Sequence, residues 1–308
     1  MSSKKPLLIC VVGPTAIGKT ALSIKIAKAF STEIISADSR QFYKEMKIGT
    51  AVPSKEELAA VPHHFIQNKS IYDSFNVGDF EKEALQKLEQ LFKKHQIVVM
   101  VGGSGLYLDA VIKGLDSFPD VSSEVRKQLN EELLSNGIET LQKELEEIDP
   151  VYFQKADVQN PHRVIRALEI FRSSGKPYTS FLKNKASNRP FETQFIGLTA
   201  DRQLIYNRIN ERVDLMVASG LIAEAESLKA NKALNALQTV GYRELFEFFD
   251  GKITKEEAIE EIKKNTRRFA KRQGTWFRKN EQINWFDYTT KVSDITSSIK
   301  VNFLRASP

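Results

Sequence analysis

The chain has 308 residues, 41% apolar and 27% charged, a balance that excludes intrinsic disorder, collagen-like repeats and a coiled-coil rod. Its single cysteine, Cys10, cannot form an intrachain disulfide, and four histidines offer no Cys/His set of zinc-finger spacing. Forty-five Lys and Arg against 39 Asp and Glu leave a formal charge of +6, which points to a polyanionic partner.

Met1-Ser-Ser-Lys-Lys runs directly into the apolar stretch Leu7–Val12, far shorter than the roughly 20 residues of a membrane span. No signal peptide or membrane anchor is expected, and the cytoplasm is the expected compartment. Short β-rich runs then alternate with helix-patterned stretches, with strands expected at Leu7–Val12, Glu33–Ser36 and Ile97–Val101. This is the pattern of βαβ units and a parallel sheet. Between about Ser122 and Phe181 the period changes: Val125, Leu129, Leu133, Leu134, Ile138, Leu141 and Leu145, and later Val164, Leu168 and Phe171, recur at helical spacing. A strand pattern returns at Gln194–Thr199, followed by helix patterns over Leu204–Leu228 and Glu256–Phe277 and a last strand at Ile283–Phe286. The expected fold is therefore α/β: a P-loop NTPase-like core with a parallel sheet flanked by helices, formed by residues 1–118 and 192–308 and interrupted by a helical insertion domain at 119–191.

Gly13-Pro14-Thr15-Ala16-Ile17-Gly18-Lys19-Thr20 fits G-x-x-x-x-G-K-[ST] and lies between a strand and a helix, the setting in which backbone N–H groups close round an anion. Lys19 would add a point charge, and the Thr20 hydroxyl could hold Mg²⁺. An ATPase of this type would show an acid at the end of a later apolar strand; here Ile97–Val101 runs into Gly102-Gly103-Ser104. The acid follows the second strand instead, as Asp38 in Ser36-Ala-Asp38-Ser39-Arg40-Gln41. Asp38 is a candidate general base at a carboxyl end of the sheet, or else the cap of a following helix.

From Lys263 to Lys279 there are eight basic residues and no acid. At 100° per residue they occupy about half the helix circumference, opposite Phe269, Ala270, Trp276 and Phe277. Thr254-x-x-Glu257 supplies a capping box. The absence of interleaved acids favours polyanion contact over a merely solvated face. Trp276 and Trp285 are expected to pack the core. His63 and His64, adjacent on a strand, point to opposite faces and cannot readily share a metal. Arg163 and Arg166 share a helix face, where RNA contact and pairing with Glu169 are both open. Arg208 and Arg212, four apart, share another face.

The segments GPTAIGKT, SADSRQFYKEMKIGTA, VGGSGLYLDA, PHRVIRALEI, TVGYRELFEF and TRRFAKRQGTWFR, in this order and spacing, resemble the tRNA dimethylallyltransferases. The resemblance runs from Leu7 to about Asp287. It implies transfer of a dimethylallyl group from dimethylallyl diphosphate to N6 of the adenine at position 37, beside the anticodon of tRNA, with diphosphate rather than ATP in the Gly13–Thr20 cradle and Mg²⁺ as cofactor. On this resemblance Asp38 is the catalytic base, assisted by Lys19 and by Ser104, which replaces the family's usual threonine. The donor would be held by residues 13–20 and Arg208. The tRNA would meet Asp38, Ser39, Arg40, Gln41 and Ser104; Arg126, His162, Arg163, Val164, Ile165 and Arg166 in the insertion, which grips the anticodon stem; Gln238, Thr239, Val240, Gly241, Tyr242 and Arg243; and Lys271, Arg272, Gln273, Gly274, Thr275, Trp276, Phe277 and Arg278. Gln67 stands where the family has aspartate. A monomer with no membrane partner is expected.

Three other readings compete: an adenylate isopentenyltransferase using a free nucleotide, a P-loop kinase, and a non-catalytic RNA-binding module. The first does not need the basic helix, the second does not explain it, and the third leaves the cradle idle.

Overall fold

The computed structural model describes residues 5–182 and 188–305. In chain order the elements are β1 (Leu7–Val12), α1 (Lys19–Ala29), β2 (Ile34–Ser36), α2 (Lys55–Ala60), β3 (His63–His64), α3 (Val77–Phe92), β4 (Ile97–Val101), α4 (Gly105–Lys113), α5 (Ser123–Asn136), α6 (Ile138–Ile148), α7 (Pro150–Lys155) and α8 (Pro161–Ser174). After these come β5 (Glu192–Thr199), α9 (Arg202–Ala218), α10 (Leu221–Ser227), α11 (Tyr242–Phe249), α12 (Lys255–Arg278), β6 (Ile283–Asp287) and α13 (Val292–Arg305).

The chain divides into two compact units, Met1–Lys113 with Asn188–Pro308, and Gly114–Ser187. The first carries a six-stranded sheet in the order β3-β2-β4-β1-β5-β6, parallel throughout. Every residue of β1 is buried, as a strand covered on both faces requires. Its alternation separates two cores: Leu8, Cys10 and Val12 pack with α3 and α4 side chains such as Phe80, Leu88 and Leu108, whereas Leu7, Ile9 and Val11 pack with Ile24 and Ile26 of α1 and Ile295 and Ile299 of α13. The Cys10 thiol is free and buried, and burial pushes its pKa up. A third cluster joins α9 to α12 through Val213, Leu221, Tyr242, Leu245 and Ile262.

The expected helix over Leu204–Leu228 is two helices, because Gly220 takes φ 101° between α9 and α10, a conformation that glycine adopts at little cost. β3 is the strand on which His63 and His64 were expected to lie side by side. His63 and His64 each bond locally, His63 Nδ1 to the Val61 carbonyl and His64 Nε2 to Glu33 Oε2, both at 2.7 Å.

The second unit is a helical bundle with its own core of Leu129, Leu141, Leu145, Val164, Ile165, Ala167 and Leu168. Among the described residues it begins at Gly114, ahead of the expected 119. The early start has a cause in packing: Phe118 stacks on Tyr178 at 4.7 Å within this unit. Residues 183–187 of the anticipated insertion lie outside the described residues.

Candidate active site

The cradle grows out of β1. Gly13 has φ 141°, and a Cβ there would come within 2.7 Å of the Leu198 carbonyl oxygen, so only glycine fits between β1 and β5. Ala16 is held at φ 62°, a strained conformation for an L residue of the kind found at ligand clamps. Gly18, with φ 106°, starts α1 without any side-chain cap. The first N–H groups of α1 are thus left for an anion. Lys19 Nζ crosses the loop to donate to the Pro14 carbonyl at 2.8 Å. Burial lowers its pKa to about 8; Asp38 opposes that shift and the like charge of Arg212 adds to it. Burial also lowers the pKa of Arg212, whose Nη1 donates to Thr15 Oγ1 at 3.3 Å.

Beside the cradle, the ends of β2 and β4 are pinned together. The Ala37 N–H donates to the Val101 carbonyl at 2.7 Å, and a Cβ at Gly102 would lie 2.5 Å from the Ala37 oxygen. Asp38 Oδ1 accepts from the Arg40 N–H at 3.1 Å. It heads a turn, not a helix, so the capping alternative reduces to a local turn bond that leaves the other carboxylate oxygen for chemistry. Ser104 Oγ accepts from the Ser39 N–H and pairs with Ser39 Oγ, both at 3.2 Å.

Two cavities meet here. One, of about 560 Å³, is lined by Gly18, Lys19, Thr20, Glu57, Arg208 and Glu211. The other, of about 520 Å³, has Ser39, Ser104 and Arg243 beside apolar walls from Leu106, Tyr107, Ile209, Val213, Met216, Phe269 and Trp276. Thr15, Asp38, Thr50, Ala51 and Arg212 line both. Such an arrangement suits a reaction in which an anionic leaving group is held on one side of Asp38 and a partly apolar acceptor enters from the other. The donors around Thr20 are oxygens, the hydroxyl with the Asp38 and Glu57 carboxylates in the same cavity. That set suits Mg²⁺ shared with a phosphate group, and among the described residues no three His, Cys, Asp or Glu side chains form a cage of their own.

Several residues matched to RNA are held elsewhere. Arg40 Nη1 donates to the carbonyls of Asn235 and Ala236, both at 3.0 Å. The Gln41 amide donates to the Thr50 and Ala51 carbonyls at 3.2 and 3.0 Å and accepts from Ser36 Oγ, so both of its ends are engaged and it is not free to read a base. Val164, Ile165, Tyr242, Gln273 and Phe277 are buried; a contiguous motif on a helix necessarily carries core-facing members. Arg166 and Arg126 both pair with Glu169, which is 1% exposed, while His162 and Arg163 stay at the surface of their unit. Gln238, Thr239, Val240 and Gly241 line the apolar-walled cavity with Arg272. Arg208 lies over the Tyr288 ring.

The basic helix α12 is continuous through Gly274. Its N-terminal basic residues are neutralised: Lys263 pairs with Asp214 at 2.9 Å and Glu260 at 3.0 Å, and Lys264 with Glu261 at 2.7 Å. Arg268, Lys271, Arg272, Thr275, Trp276 and Lys279 form a surface depression. Trp276 and Trp285 are 44% and 37% exposed rather than core residues; Trp276 lies against Gly105, and Trp285 against Gly197. The sequence pattern gives no sign of Glu224, which accepts from the backbone N–H groups of Lys47, Ile48 and Gly49 and from the Tyr242 hydroxyl; no motif spacing announces a carboxylate that bonds main chain.

A family model described as IPP transferase matches residues 41–280. The chain is 61% identical over 293 residues to the tRNA dimethylallyltransferase of Christiangramia forsetii, covering 95% of this chain and 97% of that protein. It is 58% identical over 301 residues to that of Flavobacterium johnsoniae, covering 96% and 97%. Two solved structures are also similar. The full-length tRNA isopentenylpyrophosphate transferase of Bacillus halodurans is 38% identical, with a TM-score of 0.72 and 98% of both chains covered. A eukaryotic dimethylallyltransferase acting on tRNA is 25% identical, with a TM-score of 0.82 over 98% of this chain and 80% of that one. By these matches the chain belongs to the IPP transferase family, the tRNA dimethylallyltransferases.

Proposed function

We propose that the chain transfers the dimethylallyl group of dimethylallyl diphosphate to N6 of adenine 37 in tRNA, giving N6-(dimethylallyl)adenosine and diphosphate. The observation that carries this reading is the junction of the two cavities at Asp38, Thr15 and Arg212, with the phosphate cradle on one side and Ser104 and an apolar wall on the other.

Adenine N6 is a weak nucleophile because its lone pair is delocalised into the ring, so breaking the C1–O bond of the donor needs most of the help. As N6 bonds to C1, the C1–O electron pair leaves with the diphosphate. The cradle N–H groups, Lys19 and Arg212 would hold that growing charge in a preorganised site, the kind of contribution that is usually largest in catalysis. Thr20 would hold Mg²⁺ with the diphosphate oxygens, and the ion would supply further charge neutralisation. Asp38 would take the N6 proton, and Ser104, fixed by Ser39, would place a hydroxyl at the reacting junction. A base stacked in an anticodon loop cannot reach a buried donor, so adenine 37 would be extruded into the apolar-walled cavity. Exposed Lys271, Arg272 and Arg278 of α12, together with surface residues of the helical unit such as His162 and Arg163, would hold the RNA backbone. Because residues of one chain line both cavities, we take the working form to be a monomer. We place it in the cytoplasm with its tRNA; among the described residues no helix is long and apolar enough to cross a membrane.

The direct test incubates the purified protein, Mg²⁺ and dimethylallyl diphosphate with an anticodon stem-loop carrying adenine at position 37, with AMP as a parallel acceptor, and weighs the products. A five-carbon gain on RNA alone is expected. Gain on AMP instead would transfer the chain to the adenylate-using class, and transfer to neither would reopen phosphoryl transfer from ATP.

A further inference from the structure

Gln273 lies in the middle of the basic segment of α12, between Lys271 and Arg272 on one side and Gly274 and Thr275 on the other. The resemblance groups it with the RNA-contacting residues, although at 100° per residue it falls on the helix half that carries Phe269 and Phe277. Lys271 and Arg272 before it are exposed, yet Gln273 is 6% exposed and turns inward. Its Oε1 accepts from the Thr15 N–H at 2.8 Å, and its Nε2 donates to the Gly103 carbonyl at 2.9 Å. One planar amide therefore ties the third residue of the phosphate cradle to the residue preceding Ser104.

We infer that Gln273 is a positioning residue for the diphosphate cradle and the Ser104 loop, and not a contact to RNA. This rests on the diphosphate reading of the cradle. Three features make the tie specific. Thr15 is gripped from two sides, by Gln273 at its N–H and by Arg212 at its hydroxyl, so the strained Ala16 that follows it is held from a fixed anchor. The amide meets a donor and an acceptor at once, its oxygen accepting while its nitrogen donates, so both backbone groups are satisfied without burying a charge. Finally, Gly103 leaves room for it: a Cβ at that position would collide with Gln273 Nε2. The absence of a side chain at Gly103 is thus explained by the amide beside it.

The test uses Gln273→Met, which keeps length and removes both hydrogen bonds, and Gly103→Ala, which displaces the amide without altering residue 273. Inorganic diphosphate binding with Mg²⁺, anticodon stem-loop binding, and the two substrate KM values are measured for each. Expected for both variants is a roughly tenfold weaker diphosphate affinity, equivalent to about 1.4 kcal/mol, with a matching rise in donor KM. RNA affinity and its salt dependence should stay at the wild-type values. The double variant should be no worse than the poorer single one, because both remove the same tie. Gln273→Glu, which can still accept from Thr15 but not donate to Gly103, provides a partly functional control should the methionine variant fail to fold. Loss of RNA affinity with diphosphate binding intact would overturn the inference and return Gln273 to the RNA face; unchanged binding of both would overturn it too. Failure of the wild-type protein to bind diphosphate would instead refute the reading of the cradle.

Discussion

Lys19 and Arg212 set two cations near Asp38, and the burial of Lys19 gives the site a pH dependence. Because burial holds the Lys19 pKa near 8, the ammonium is present below that pH and is lost as pH rises through it, while the donor diphosphate stays anionic. The kcat/KM for the donor, which reports the free enzyme, should therefore fall above about pH 8, and Lys19→Met should be low at every pH and lack that limb. Asp38 carries a different burden. Asp38→Ala should lower kcat by about 10²–10⁴-fold, the usual range for a general base, and leave stem-loop affinity unchanged in a filter-binding titration; an equally active variant would remove Asp38 from proton transfer.

At the scale of elements, the shape of the site depends on the stretch 47–51, which has no regular structure of its own. Thr50 and Ala51 line both cavities. Gln41 holds this stretch from one side through two carbonyls, and Glu224 of α10 holds it from the other through three N–H groups. Gly49 is required because a Cβ there would fall 2.6 Å from the Tyr242 ring. Tyr242 in turn donates its hydroxyl to Glu224 at 2.7 Å; burial and the adjacent carboxylate push its pKa up. Glu224→Ala leaves several amides without their acceptor, so a loss of about 2 kcal/mol is expected in urea unfolding, with a lower kcat/KM. Tyr242→Phe, which removes one donor, should cost about 1 kcal/mol.

For the molecule as a whole, the +6 charge matters where it is left unpaired. Lys263 and Lys264 are matched by Asp214, Glu260 and Glu261, so polyanion affinity should reside further along α12. Reversing Arg268 and Arg272 to glutamate should flatten the slope of log affinity for the stem-loop against log salt by about one unit for each phosphate no longer neutralised. Reversing Lys263 and Lys264 should change it little, and equal slopes for all of these variants would place the RNA elsewhere.

The sequence by itself determined what local pattern encodes. The all-apolar run Leu7–Val12 and the similar Ile97–Val101 became strands at those residues because a strand covered on both faces has no polar side to preserve. In Gly13–Thr20 the glycines and the start of α1 set the local course of the backbone, while Gln273 and Arg212 anchor Thr15 from distant parts of the chain. The period change after Ser122 became a separate helical unit with its own core. Tertiary structure alone decided which polar side chains of a motif are spent inside the protein. Arg40, Gln41 and Gln273 lie in segments whose chemistry is legible, but their partners are 195, 9 and 258 residues away at Asn235, Thr50 and Thr15, and no spacing rule predicts such a bond. The same holds for Glu224, some 175 residues from Gly49. A hydrogen bond is fixed by the meeting of two elements in space, and only the packed sheet and helices bring those elements together.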